Sequence, residues 1–192
     1  MLRALYDRLM RLAASGYATP TLFGWSLAES SFFPIPPDPL LVAMVLARRA
    51  RWLFYASVCT AASVLGGVLG YYIGIFLFEQ VGRPILAFYG HADDFATFAE
   101  AFNANGLWIV VGAGFTPFPY KVITIAAGTT GMSLPLFVVA SLVGRGGRFF
   151  LEAALLYIYG EPIRAFIERR LALVSVVVGV VGVTAVLVLK VL

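Results

Sequence analysis

Apolar and polar positions alternate along this chain in blocks long enough to be membrane helices, and two of the apolar blocks are broken in the middle. From Leu2 to Ala13, the residues Leu2, Leu5, Tyr6, Leu9, Leu12 and Ala13 recur at three-and-four spacing, with Arg3, Asp7, Arg8 and Arg11 over much of the remaining surface. This predicts an amphipathic helix, lying in the membrane surface or packed on the protein itself, and ended by Ser15-Gly16. The stretch from Thr19 to Ala47 is apolar enough to enter a bilayer, yet it carries Glu29 in one arm and then Pro34, Pro36, Pro37, Asp38 and Pro39. Each proline removes a backbone donor and clashes with the preceding turn, so the stretch is expected to enter, break and return. Asn105 to Gly128 repeats the plan with an apolar arm, Pro117 and Pro119, Lys121, and a second apolar arm.

The other blocks are unbroken. Trp52 to Phe78 contains no charge and is long enough to cross the ~30 Å hydrocarbon core. Along it Ala62, Gly66, Gly70 and Gly74 fall four apart, giving a strip of small residues that permits close helix approach, within the chain or against another copy. Glu79 to Asn105 is polar and mostly acidic, and within it Phe95, Phe98, Ala99 and Phe102 predict a second short amphipathic helix. Ser133 to Gly160 is a second span, with Ser141, Arg145, Arg148 and Glu152 on one face and Gly144, Gly146 and Gly147 removing bulk around them. Leu171 to Leu189 is an uncharged final span.

These blocks make an internal repeat. Residues 1–78 and 93–160 each read as amphipathic helix, proline-broken re-entrant hairpin and transmembrane helix, with the proline clusters and the spans offset by 82 residues. The predicted fold is therefore an all-α integral membrane domain over 1–192, an inverted repeat followed by the final transmembrane helix at 171–189. Arginine counts in the short loops put the N-terminus in the cytoplasm and the acidic loop outside, so that the hairpins dip from opposite sides and the C-terminus is outside. Arg3, Asp7, Arg8 and Arg11 interrupt any apolar run of signal-peptide length, so the first residues are expected to be retained.

Composition agrees. With 61% hydrophobic and 12% charged residues, the chain carries about half the charge of an ordinary soluble domain. The net charge of +4 lies in short arginine clusters beside apolar runs, which suits topology signals and lipid headgroups and argues against nucleic acid. The single cysteine, Cys59, sits inside an apolar span, and the single histidine, His91, in the polar loop. Metal centres, cofactors and histidine-based nucleophilic catalysis are accordingly not expected.

The candidate chemistry lies in ionisable residues at membrane depth: Glu29, Asp38, Lys121, Arg145 and Arg148, with Glu152 nearer the far end. Each costs roughly 2.5–3.5 kcal/mol to place mid-helix, so each needs a partner or a wet cavity. Paired broken segments point to a binding site where their tips meet. There Lys121, Arg145 and Arg148 offer charge-assisted hydrogen bonds to a phosphate or other anion, and Glu29 and Asp38 are groups for proton uptake. The alternative is that the charges only pair, Arg148 with Glu152 on one helix face or Arg145 with Glu29 across the repeat.

At these residues the sequence resembles the DedA family of bacterial inner-membrane proteins, which share their core with the VTT, or SNARE-associated, proteins. The resemblance rests on Glu29 with Pro34-Ile35-Pro36-Pro37-Asp38-Pro39, the glycines from Gly66 to Gly74, Phe115-Thr116-Pro117 with Lys121, and Gly144-Arg145-Gly146-Gly147-Arg148-Phe149, the last similar to the YqaA-like branch. It implies transport or scrambling of an anionic lipid, such as a phospholipid or undecaprenyl phosphate, with proton coupling in some members. Many members carry an arginine where this chain has Gly114. Lipids and protons are the expected partners, with a homo-oligomer open. Competing readings are a structural or assembly factor, an ion pathway, and a membrane phosphatase or lipid transferase. The last lacks a histidine pair, a nucleophilic cysteine, a metal-binding aspartate cluster and a Gly-rich phosphate loop.

Overall fold

The computed structural model describes residues 10–32, 36–89, 92–116, 118–160 and 162, and among them every regular element is helical. A helical stretch at 10–14 leads through a turn into α1, Ala18–Ser31. The buried positions Ala18, Leu22, Ser26 and Ser30 fall four apart, so one narrow stripe of α1 faces inward. The helix stops at Phe32, whose N–H closes on the Ala28 carbonyl at 2.9 Å.

After the break, α2 runs from Asp38 to Ala47 with Pro37 as its N-cap residue. Pro39 lies within its first turn, where a missing N–H leaves nothing unsatisfied, so this proline opens the return arm and does not break it. The Pro37 carbonyl accepts from Leu40 N–H and Leu41 N–H at 3.0 and 3.1 Å. Leu40, Leu41, Ala43, Met44, Val45 and Leu46 are all buried, which makes α2 a core helix on nearly every side. Pro34 and Pro117 lie outside the described residues, as do the span at 171–189 and most of the N-terminal amphipathic helix.

A 3₁₀ turn at Arg49–Arg51 starts the long helix α3, Trp52–Leu77, which continues through a π turn at Phe78–Gly82 into α4, Arg83–Tyr89. Helix α5 then spans Ala92–Phe115 without interruption. Here the structure departs from the expected polar loop and short amphipathic helix: that helix and the first arm of the second broken segment are one helix. Asn103, expected in the polar stretch, and Gly106, expected in the apolar arm, are both used for packing, Asn103 Nδ2 donating to the Thr130 carbonyl at 2.8 Å and Gly106 lying against the Met132 side chain.

Pro119 caps α6, Tyr120–Thr129, which ends at a glycine turn. Gly131 there has φ of 68°, open to glycine at no steric cost, and Met132 N–H bonds back to the Ala127 carbonyl at 3.0 Å. Helix α7, Leu134–Gly160, follows. The helices α2 and α6 are each ten residues long and begin 82 positions apart, at Asp38 and Tyr120, and α3 and α7 also begin 82 apart, at Trp52 and Leu134.

Two cores hold these elements. In one, Leu22 of α1 and the apolar residues of α2 pack with Tyr55, Ala56 and Cys59 of α3 and Phe149, Ala153 and Leu156 of α7. In the other, Tyr71 of α3 packs with Phe102 and Val110 of α5, Tyr120 and Ala127 of α6, and Phe137 and Ala140 of α7. The small-residue strip on α3 is consumed inside the chain. A Cβ on Gly66 would strike the Leu27 carbonyl of α1, and one on Gly74 would strike the Ile125 carbonyl of α6. Gly128 of α6 returns the contact against the Tyr71 carbonyl, and Gly144 of α7 lies against Val111 of α5. Outside these seams Leu65, Leu69, Phe76, Val139, Val143 and Leu151 are exposed, and α3 and α7 are each long and apolar enough to cross a membrane.

Candidate functional site

The ionisable residues of the first broken stretch and of α7 meet between the two cores. Arg145, near the middle of α7, is 2% exposed. Its Nη2 donates to Glu29 Oε2 at 2.6 Å and its Nε to Ser63 Oγ of α3 at 2.6 Å. Ser63 Oγ is bonded to Ser30 Oγ at 2.6 Å, and Ser30 Oγ donates to Glu29 Oε2 at 3.1 Å. The four side chains therefore close a ring in which every hydroxyl both donates and accepts.

Two aromatic faces complete the enclosure. The Arg145 guanidinium carbon lies 5.0 Å from the Tyr120 ring centre and 4.7 Å from that of Phe149. Tyr120 is held in place by its hydroxyl, which donates to Ser141 Oγ, while Ser141 donates to the Phe137 carbonyl at 2.6 Å. A buried charge needs an opposite charge and further hydrogen bonds, and Arg145 has Glu29 as the one and Ser63 as a partner for the other. Among the described residues no buried side-chain nitrogen or oxygen lacks a partner.

Arg148, one turn further along α7, is held differently. Its Nη2 meets Asp38 Oδ1 at 2.5 Å, and its Nη1 donates to the Thr116 carbonyl at 3.2 Å. Asp38 opens α2 just after the first break, and Thr116 follows α5 at the edge of the second. One guanidinium thus ties together the two interruptions of the chain. The pair is partly open, with 23% of the Arg148 side chain and 21% of the Asp38 side chain exposed.

At Gly146 and Gly147 a Cβ would meet Thr60 of α3 and Phe115 of α5 at ordinary van der Waals distance, so the close packing does not depend on these two glycines. Gly114 is used, for a Cβ there would sit 3.2 Å from the Arg145 backbone nitrogen. Glu152 lies another turn on and is half-buried.

Residues 33–158 match the VTT domain, the domain of the DedA family. The chain belongs to that family. An uncharacterized protein of Haemophilus influenzae is 34% identical over 186 residues, covering 97% of this chain and 96% of that protein. An uncharacterized protein of Histophilus somni is 32% identical over 189 residues, 97% of each chain. No solved structure matches. DedA proteins are membrane proteins, in keeping with the two long apolar helices and the apolar exterior.

Within this DedA domain, Asp38, Lys121, Arg145, Arg148 and Glu152 lie inside the matched region, and Glu29 four residues before it. Of the residues singled out in the sequence, Glu29, Asp38, Arg145 and Arg148 converge. Lys121 borders them: it is half-buried in the first turn of α6, next to Tyr120. The ion pair of Arg148 is with Asp38, not with Glu152, although Glu152 stands one turn away on the same helix. Ser30, Ser63 and Tyr120 belong to the site and were not evident beforehand, whereas Ser141 was expected on the face that carries Arg145 and Phe149 closes the motif that holds both arginines. A polar residue in an otherwise apolar span was the available signal for Ser63, and its match in register to Ser30 appears only when α1 is laid on α3.

Proposed function

We propose that this DedA-family protein is a lipid transporter or scramblase of the bacterial inner membrane, moving a lipid with an anionic phosphate headgroup, and that Arg148 is the headgroup-binding residue. The observation that carries this reading is the half-open Arg148–Asp38 pair at the junction of the two chain breaks. A phosphate oxygen is a competent substitute for Asp38 as acceptor, since both are anionic and both suit a guanidinium fork. Lys121, at the start of α6, adds positive charge on the side of the second break.

The short arms support the topology that goes with this function. Ten residues of helix span ~15 Å, half the hydrocarbon thickness, so α2 and α6 suit re-entrant arms. Their common length and 82-residue offset support an inverted pair of hairpins, with the N-terminus cytoplasmic on the arginine distribution. The backbone groups freed at the breaks then line a polar path at mid-membrane.

A second reading, in which the charges serve as internal ties in an assembly factor or ion pathway, is favoured at Arg145 alone, because that guanidinium is buried and paired with Glu29. The functions divide accordingly: Arg145–Glu29 braces α1 against α7, and Arg148–Asp38 exchanges partners. The test is transbilayer movement of labelled phospholipid and of polyprenyl phosphate in proteoliposomes. Arg148→Ala is expected to abolish movement in a folded protein. Failure of the unaltered protein to move either lipid sinks the transport reading for those substrates.

A further inference from the structure

The end of the molecule where α3 begins and α7 finishes carries charge that the exchange at Arg148 does not use. Arg48, Arg49 and Arg51 lie on the turn between α2 and α3. Arg49 is half-buried and turned inward: a Cβ on Gly160 of α7 would fall 2.8 Å from its Nε and 3.0 Å from its Cζ, so the guanidinium lies over that glycine. Arg48 and Arg51 are exposed, and among the described residues neither side chain has an ion-pair or hydrogen-bond partner. Their backbones are joined, Arg51 N–H donating to the Arg48 carbonyl at 3.0 Å, which holds two like charges at the ends of a single turn. Neighbouring cations without an acid repel each other, and an anion bound by both removes that cost. The matching turn of the second half, 82 positions on, is Thr130-Gly131-Met132-Ser133 and has no charge, so the turn itself does not require arginine.

The neighbours of the two arginines decide the class of anion. Trp52, the first residue of α3, stacks on Tyr157 of α7 with 5.6 Å between ring centres, and paired aromatics with polar tips belong at the boundary between headgroups and hydrocarbon. Leu53 and Phe54 follow at once and are 53% and 51% exposed. The exposed Ser57 donates its hydroxyl to the Leu53 carbonyl at 2.9 Å, so it presents no unsatisfied donor to hydrocarbon. A soluble phosphate would use the arginines alone, and a nucleic acid would meet a single turn of charge beside an apolar wall. A ligand with an anionic head directly above hydrocarbon chains fits both parts. We infer that Arg48 and Arg51 form a binding site for the phosphate of an anionic phospholipid whose acyl chains lie against Leu53 and Phe54. Arg49 docks the turn on α7 and leaves its two neighbours facing outward. This site is separate from Arg148 and holds a lipid at the membrane surface whether or not the protein moves lipid across.

Two measurements on the full chain test this. The first uses phosphatidylcholine bilayers holding a small fraction of lipid with brominated acyl chains, and a chain whose one tryptophan is Trp52, made by Trp25→Phe with Trp108→Phe. Brominated phosphatidylglycerol is expected to quench Trp52 at a lower mole fraction than brominated phosphatidylcholine. Arg48→Gln and Arg51→Gln are each expected to reduce that preference about fivefold at low salt. The second is native mass spectrometry of the chain with all its tryptophans, released from mixed vesicles, which is expected to show retained phosphatidylglycerol that the double variant loses. Both arginine side chains are exposed and unpartnered, so the double variant should keep its fold, checked by circular dichroism and thermal unfolding. Arg83→Gln removes an exposed cation toward the other end of the same continuous helix and is expected to leave the preference unchanged. Equal quenching by the two lipids, a preference that survives in the double variant, or its loss in Arg83→Gln overturns the site. Inorganic phosphate added at constant ionic strength is expected not to displace the lipid, and displacement by it overturns the assignment to a phospholipid.

Discussion

Two arginines one turn apart on α7 reach two carboxylates of the same broken stretch, yet their surroundings are opposite. Arg145 is enclosed by Glu29, two serines and two aromatic rings and is 2% exposed, whereas Arg148 is held by one carboxylate and one backbone carbonyl and is 23% exposed. Each guanidinium makes two hydrogen bonds, so what separates them is enclosure. A charge removed from water and covered by two aromatic faces is expensive to disturb, so the inner pair is suited to fixing geometry. A charge with some access to water loses less when one acceptor replaces another, so the outer pair is suited to exchange. Similar ionic chemistry suits a brace or a binding group according to how completely the neighbours enclose it.

The comparison breaks most decisively at Arg145. Arg145→Ala strands Glu29 and should destabilise the fold by about 3–5 kcal/mol, read by denaturant or thermal unfolding in detergent. The same substitution at Arg148 should cost about 2 kcal/mol or less, between a buried and a surface pair, while lipid movement is lost. Equal destabilisation by the two would erase the distinction drawn between them.

Exchanging the inner charges, as Glu29→Arg with Arg145→Glu, sharpens the point. The swap should recover only part of the lost stability, because Ser63, Tyr120 and Phe149 are placed for a guanidinium on α7. Full recovery would mean that the ring of serines and the aromatic faces contribute nothing. A smaller effect is expected from Phe149→Leu, which keeps the bulk near Arg145 but removes one aromatic face; about 1–2 kcal/mol is expected from the lost cation–π contact and imperfect repacking. The smallest belongs to a third ion pair, Arg83–Glu79, whose side chains are 65% and 46% exposed. Arg83→Ala should shift stability by less than about 1 kcal/mol, which sets the lower end of the scale for the same unfolding assay.

Much of this arrangement was written locally. Prolines dictate where α1 stops and where α2 and α6 begin, because they act within a turn of their own position. The glycine spacing on α3 foretold close packing for a similar reason, although only the fold shows that α1 and α6 are the helices that use it. The pairing of Arg145 with Glu29 was one of two options, since a mid-membrane cation needs an anion and few exist. The pairing of Arg148 was obscured by Glu152, the nearer acid in sequence, and was decided by a carboxylate 110 residues away. Asn103 suggested a polar loop because its packing partner, Thr130, lies beyond the next helix.

The hydrogen bond between Arg145 and Ser63 carries one more consequence. The two residues are 82 positions apart, the same offset that separates the starts of α2 and α6 and of α3 and α7. Counted on that offset, Ser63 and Arg145 hold the same place in the two halves of the chain, and there they meet. Two identical halves pairing through that place would each present the same residue to the other. Two arginines there would repel, and two serines would leave Glu29 without a cation. Within one chain the two places need not be alike, and a serine receives what an arginine gives.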